Sequence, residues 1–385
     1  MPMVKVDIQP EIIHWALSQT KADQLGVKLM GYIEQWLDGT KTPTFNQIEE
    51  FSKKANIPLG YFFLQTPPQE ELHLLEYRTI DSEKLLNPSR NLVDTIQEME
   101  RIQDWMKDYR RDTGFDVLPI VGSLKDSDDI VAMAETIRKD MELSPDWYSE
   151  NNTMGAAFNY IRTRLEQCGI VIMLNGIVGK NTHRPLDSDE FRAFAMADEW
   201  APLIFINAAD TQGAKLFSLF HEAAHIWIGV NDFYNDRRNS SIKETEVICN
   251  AVAGELMVPN EAFEKAWKKN STEGFTEKIK ELAQEFKCGE SVIARKALDH
   301  DVITQGEYNQ IMECAIRAYR EMKENKKSSG GNYYHTMGSR LDRCFVKAIC
   351  ESIQTGRTSY SEAYRLTNTS RKTFNEVALR LGGTI

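Results

Sequence analysis

The apolar residues of the chain recur mostly at the spacing of amphipathic helices. Residues 1–66 contain short apolar segments with breaks at "DGTKTPT" and "NIPLG", which predicts short helices joined by tight turns. After "TPPQEE", a long helix is predicted between Pro88 and Gly114, and "SDDIVAMAETIRKDMEL" predicts another.

Three segments after residue 152 have the pattern of strands. "IVIMLNGIV", "FRAFAMAD" and "APLIFINAAD" are short, apolar or alternating, and bounded by Gly, Asn, Asp or Pro. A helix is predicted before them in "NTMGAAFNYIRTRLEQCG", and helices resume from Ala214 to about Tyr319. The pattern therefore predicts a mainly helical α+β chain with a small three-stranded sheet.

These changes of pattern divide the chain into four parts. We predict a helical module at residues 1–66, a helical linker region at 67–150 and an α+β domain at 151–325. The composition of "ENKKSSGGN" predicts a flexible connection, and a basic helical module is predicted at residues 326–385.

The composition favours a cytoplasmic protein with no membrane partner. The chain begins without a basic and apolar leader, and its longest apolar runs are far shorter than a membrane span. Its cysteines are scattered and include no C-x-x-C pair, so we predict reduced thiols in the core. They are Cys168, Cys249, Cys288, Cys314, Cys344 and Cys350.

The charge is unevenly distributed along the chain. The formal net charge is −11, which argues against a protein that coats nucleic acid over its whole surface. Residues 326–385 contain ten Lys or Arg against four Asp or Glu, so this part carries +6 and the remainder −17. A basic end on an acidic body indicates either a docking site for nucleic acid or an acidic partner, or simply a solvated helical surface.

The segment "LFSLFHEAAHIWIG" places His221 and His225 one helical turn apart, with Glu222 between them. Residues four apart project from the same helix face, so both imidazoles can bind one tetrahedral ion. Glu222 could then take a proton from water and pass it to a leaving amine. The alternative is a buried helix that carries two histidines by chance, although burying two imidazoles without a partner would be costly.

The boundaries of this helix can also be predicted. Asp210 or Thr211 is suited to begin it and Gly229 to end it. The residues that flank the histidines are uncharged, which predicts a dry setting. They are Phe217, Leu219, Phe220, Ala223, Ala224, Ile226 and Trp227.

A catalytic zinc site needs a third protein ligand, and "KETEVICNAVAGELMVP" offers two candidates. On a helix, Glu246 shares a stripe with mostly apolar residues, whereas Glu244 lies on a more polar stripe with Glu255, so we favour Glu246. Cys249 is interpreted as packing. Asn250 could orient a ligand or could pack between helices.

These residues resemble a known family. "FxxxHExxHxxxG" followed by "ExxCNxVAxxxMVP" is similar to the ImmA/IrrE family of bacterial and phage zinc metallopeptidases, and "DEFRAFAMADEWAPLIFIN" is similar to the strands before its zinc helix. The resemblance covers about residues 150–300. It implies a zincin-like, gluzincin-like domain with Zn2+ bound by His221, His225 and Glu246, and Glu222 as the catalytic base. Ile248 is a departure, because many relatives have a second glutamate there.

The resemblance also implies a class of substrate. Members of this family cut DNA-binding repressors of the helix-turn-helix type and so release genes for stress responses or mobile-element transfer. We therefore expect a zinc endopeptidase that cuts a regulatory protein, such as a repressor or the antitoxin of a toxin–antitoxin pair. The alternative is a regulator that binds DNA or a toxin, with a structural metal site and no proteolytic activity. The presence of Glu222 favours the peptidase.

Both terminal modules resemble helix-turn-helix domains. "WLDGTKTPTFNQIEEFSKKANIPLGYFFL" is similar to the second half of an XRE-type domain. Residues 1–66 hold six Lys and seven Asp or Glu, so the alternatives to DNA binding are a protein-binding or a vestigial role. "TSYSEAYRLTNTSRKTFNEVALRL" is similar to a small helix-turn-helix with Arg371 and Lys372 at the front of its second helix. The alternative for this segment is a helical cap on the domain before it.

Two further expectations concern the substrate. Tyr333 or Tyr334 in "GGNYYHTMG" could approach the zinc and stabilise an oxyanion, or could simply pack. The "FRAFAMAD" strand is predicted to be an exposed sheet edge that pairs with an extended substrate. Selectivity would then come from the terminal modules, residues 1–66 and 332–385, which would recognise the folded partner.

Overall fold

The computed structural model describes residues 4–20, 22–68, 76–78, 88–229, 241–272, 274–325 and 338–383. The chain divides into two compact units. The first comprises Met1–His73 and Leu85–Gln97, and the second comprises Leu74–Lys84 and Glu98–Ile385. The four-part division expected from the sequence stays a prediction.

In the first unit, the described residues form four short helices around a core of their own. They are α1 (Pro10–Ser18), α2 (Ala22–Leu25), α3 (Val27–Leu37) and α4 (Phe45–Ala55), followed by a 3₁₀ turn at Leu59–Phe63. A capping box between Thr44 and Gln47 begins α4, and Asn56 in the left-handed conformation ends it. The breaks therefore fall where turn residues in "DGTKTPT" and "NIPLG" predict them.

The second unit carries the sheet and most of the remaining helices. Helix α5 (Arg90–Asp112) begins in the first unit and continues into the second. The elements that follow are α6 (Ile130–Asp140), α7 (Met154–Gln167), α8 (Gln212–Ile228), α9 (Ser241–Met257), α10 (Asn260–Lys269), α11 (Phe275–Glu285), α12 (Glu290–Asp299), α13 (Gln305–Asn325), α14 (Arg343–Gln354), α15 (Tyr360–Leu366) and α16 (Arg371–Arg380).

Within the described residues, the sheet has four strands in the order β1-β3-β4-β2. They are β1 (Glu76–Arg78), β2 (Val171–Asn175), β3 (Ala193–Met196) and β4 (Leu203–Asn207). Strand β2 runs parallel to β4, whereas β3 is antiparallel to both β1 and β4. The α+β class and the three predicted strands are confirmed.

One expectation about the sheet is wrong. Because β1 pairs with β3 on the side away from β4, β3 is an inner strand and not an exposed edge. The four residues of β3 are also buried. Strand β1 lies within the region predicted as a helical linker, where no apolar alternation marks a strand.

Helix α8 lies at the centre of the main core. It packs against β3 and β4 on one side and against α7 and α9 on others. Leu216, Phe220, Ala224 and Trp227 are all fully buried in a cluster shared with the sheet. Because these large side chains are closely packed, they fix the position of the helix and of the buried side chains that it carries.

The last three helices are attached to the rest of the second unit by buried polar contacts. Asp342 is fully buried, begins α14 by accepting from the Phe345 amide, and also accepts from the Ile172 amide of β2. Arg162 of α7 donates to the carbonyl oxygens of Ser339 and Leu341. These bonds cover the β2 edge of the sheet with the carboxyl-terminal module.

All six cysteines lie in the described part of the chain, and each is a thiol. Cys249, Cys288 and Cys350 are buried, but Cys314 and Cys344 are exposed, so the expected core location is wrong for those two. Among the described residues, no helix is both long and apolar enough to cross a membrane.

Candidate metal centre

Two helices bring three potential metal ligands together. The Nε2 atoms of His221 and His225 on α8 lie 3.1 Å apart. The carboxylate of Glu246 on α9 lies 3.3 Å from the first of these nitrogens and 3.2 Å from the second. This is the one group of three or more His, Cys, Asp or Glu residues among the described residues whose ligand atoms converge closely enough for a metal ion.

The local sequence explains why the histidines sit where they do. Thr211 begins α8 by accepting a hydrogen bond from the Ala214 amide, and Gly229 ends it in the left-handed conformation. The predicted boundaries of the helix are therefore confirmed. His221, Glu222 and His225 are buried, and the uncharged flanks make their surroundings dry, as expected.

Glu246 reaches the histidines from the buried stripe of α9. Cys249, Ala253 and Met257 on this stripe are fully buried, while the Glu246 side chain keeps 19% of its surface exposed. Burial alone would raise the pKa of this carboxyl group, but hydrogen bonds and charge from His221 and His225 outweigh burial and hold the pKa well below its ordinary value. Glu246 is therefore a carboxylate at neutral pH.

Hydrogen bonds alone do not account for all three separations between the ligand atoms. Each Nε2 carries at most one proton and the ionised carboxylate carries none, so at most two protons serve three close contacts. A tetrahedral zinc ion with bonds of about 2.0–2.2 Å would hold its ligand atoms about 3.3–3.5 Å apart. The observed triangle is close to that size, so a small shift would accommodate the ion.

Among the described residues, the others considered as ligands or as supporting residues do not join the group of three. Glu244 is exposed, whereas Glu255, on the same predicted polar stripe, is buried and paired with Lys296. Asn250 is half-buried on α9, and its role in orienting a ligand stays a prediction. Tyr333 and Tyr334 lie outside the described residues, so their role stays a prediction.

Two backbone hydrogen bonds at the end of α8 are not predicted from the sequence. The amides of Gly122 and Leu124 donate to the carbonyl oxygens of Ile226 and Trp227, at 3.1 and 2.8 Å. The Ile226 carbonyl accepts from the Gly229 amide as well, whereas the Trp227 carbonyl is one of those that a helix end leaves open, so both bonds hold the helix end directly after His225. In the sequence, Gly122 indicates only a turn, because nothing local shows that this turn meets α8.

We expect Gly229→Ala to destabilise the second unit by about 2–4 kcal/mol, because it combines a strained backbone with a clash. Gly229 has a φ of +66°, and an added Cβ would lie 2.3 Å from the Gly122 Cα atom. Thermal and urea unfolding of the full chain would measure the change.

Gly254→Ala is the matched control. Gly254 lies within α9, and an added Cβ would have no atom within 4 Å. This change should be neutral or stabilise the protein by up to about 1 kcal/mol. Equal losses in the two variants would show that the approach of Gly122 to Gly229 does not hold the helix end.

The part of the chain that carries the candidate metal ligands matches a known protein family. Residues 165–298 match the model of the IrrE N-terminal-like domain, Peptidase_M78. The matched range contains β2 to β4, both histidines, Glu222 and Glu246. It points to a peptidase of the ImmA/IrrE type and to a metallopeptidase in general, which agrees with a His-His-Glu group.

The carboxyl-terminal helices also match a known domain family. Residues 341–380 match a domain of unknown function, DUF8813, so this module is a recognised unit with no assigned role. A search of curated proteins finds no match. The resemblance of residues 1–66 to an XRE-type domain stays a prediction.

Proposed function

We propose that this chain is a zinc-dependent endopeptidase that cuts a regulatory protein, such as a helix-turn-helix repressor or an antitoxin. The observation that carries the proposal is the triangle formed by His221, His225 and Glu246, with Glu222 buried on the same helix. Three protein ligands leave the fourth position of a tetrahedral site open, which is the arrangement of catalytic zinc sites rather than structural ones.

The chemistry of the site assigns a role to each side chain. When bound, a zinc ion would polarise the scissile carbonyl and make water a stronger nucleophile. His221 and His225 would hold the ion from one helix face, while Glu246 would supply a negative charge that offsets part of its charge. Glu222 would take the proton of the attacking water and deliver it to the leaving amine.

The surroundings of Glu222 suit this role. Its carboxyl group is buried in a helix whose neighbouring side chains are apolar, so bulk water does not compete for the proton. A regulator with only a structural metal site would have no need of an acidic residue at this position. The regulatory substrate is supported by the family resemblance alone.

The test is a comparison of cells that produce the wild-type chain with cells that produce Glu222→Gln at the same level. Protein amino termini would be sequenced by mass spectrometry during growth and under DNA damage or oxidative stress. We expect a DNA-binding regulator or antitoxin to gain a new internal terminus with the wild-type chain only. A terminus that forms equally with both chains would contradict the proposal, and so would the absence of any terminus specific to the wild type.

A further inference from the structure

Within the carboxyl-terminal module, residues 341–380 have the helix order and the short turn of a helix-turn-helix. Helices α15 and α16 are joined by the four residues 367–370, in which Asn368 adopts the left-handed conformation with a φ of +52°. Ser359 and Ser370 begin the two helices by accepting from backbone amides. A short turn of this kind sets two consecutive helices at a large angle to each other.

The three helices of the module, α14, α15 and α16, pack on one another, and α14 also packs on α5, where the ring of Phe345 lies 5.6 Å from that of Trp105. All three helices contribute buried side chains; they are Phe345, Val346, Ile349, Ala363, Leu366, Phe374, Val377 and Ala378. One face of α16 is thus fixed against the core and the opposite face is directed outward.

The outward face of α16 is basic and polar. Arg371, Lys372 and Asn375 are exposed along its first half, and Leu379 keeps 73% of its surface exposed near its end. Glu376, the carboxylate of this helix, is bonded to Arg380 at 2.8 Å. Among the described residues, no carboxylate is bonded to Arg371 or Lys372.

The charge of the module reinforces this face. Residues 341–380 contain seven Lys or Arg and four Asp or Glu, a net charge of +3 in a chain of −11. Two of the four acidic residues are engaged away from this face, because Asp342 is fully buried and Glu351 accepts from Tyr109 on α5. Because Asp342 is buried, the exposed charge of the module is more positive than its composition alone indicates.

We propose that residues 341–380 bind duplex DNA, with α16 in the major groove. In helix-turn-helix proteins, the first residues of the second motif helix contact base edges while the preceding helix crosses the backbone. Arg371 and Lys372 occupy that leading position and can bond guanine or phosphate, and Asn375, one turn later, can bond adenine. Arg365, exposed on α15, lies on the helix expected to meet the phosphate backbone.

This proposal goes beyond the proposed peptidase function and does not depend on it. The test uses the full-length chain and a fluorescent DNA duplex of about 25 base pairs, whose anisotropy is measured at several salt concentrations. We expect binding that weakens steeply as salt rises, because cations of the module displace counterions from phosphates. Arg371→Ala combined with Lys372→Ala should weaken binding at least about tenfold.

The matched control combines Lys265→Ala with Lys269→Ala, which removes the same charge from exposed positions on α10. It should change DNA affinity by less than about twofold if the contact is local to α16. Melting temperatures of both double variants should equal that of the wild type, since all four side chains are exposed. Asn375→Ala should alter the preferred sequence selected from a random DNA pool while leaving the salt dependence unchanged.

Three results would overturn the proposal. The first is no binding of duplex DNA by the full chain at low salt. The second is an equal loss in the α16 and α10 double variants, which would indicate attraction to cations in general. The third is tighter binding of single-stranded RNA than of duplex DNA, because such a surface would not use a helix in the major groove.

Discussion

Replacing His225 with Ala is expected to remove zinc from the purified chain, which should otherwise bind about one ion per molecule. His225 contributes one of three ligand atoms that lie within 4.8 Å of one another, and in the described part of the chain no further residue can take its place. Zinc affinity should therefore fall by at least about 100-fold, more than the loss of a residue that only supports a ligand.

The two glutamates of α9 provide a sharper comparison. Glu246→Ala should weaken zinc binding by at least about 100-fold, whereas Glu244→Ala should leave the affinity within about twofold of the wild type. The two residues lie two positions apart on one helix, but Glu246 is 3.2 Å from His225 and Glu244 is exposed. Competition with a zinc-binding dye would measure both. Equal effects would rule out the assigned third ligand.

Glu222→Gln is expected to abolish proteolysis while the zinc content stays at the wild-type level. The amide keeps the size of the side chain and can still bond water, but it cannot take the proton. Loss of a general base typically costs about 10²–10⁴-fold in rate. The rate should be measured on the regulator identified in cells, with full-length enzyme and equal zinc loading.

Glu244→Gln controls for the removal of one negative charge near the site. It should cut at the wild-type rate, because its exposed carboxyl group lies outside the triangle of ligands. If Glu222→Gln cuts as fast as this control, Glu222 is not the general base. A Glu222→Gln enzyme that has lost its zinc would show that Glu222 instead supports metal binding.

Much of the site could be predicted because its information is local. The relation between His221 and His225 depends only on helical periodicity, and the ends of α8 depend on Thr211 and Gly229. Glu246 is harder to predict as a ligand, because it lies on another helix. Its place on a buried stripe was still visible, because a carboxylate among apolar residues requires a partner.

The contacts that could not be predicted join segments far apart in the sequence. The pairing of β1 with β3 links residues 76–78 to 193–195, and β1 has no apolar alternation that would mark it as a strand. The approach of Gly122 to Gly229 likewise depends on tertiary packing. Cys314 and Cys344 are exposed because they lie on faces of α13 and α14 that no other described part of the protein buries. The composition does not determine which face of a helix is buried.

The most direct test of the zinc site is X-ray absorption at the zinc edge of the full-length, zinc-loaded protein. We expect four light ligands at about 2.0–2.2 Å, with the multiple scattering of two imidazoles and with oxygen in the remaining positions. Glu246→Ala should lose part of the oxygen contribution and keep the imidazoles. A sulfur ligand at about 2.3 Å would contradict this expectation, because a thiolate would close the position that the proposed reaction needs.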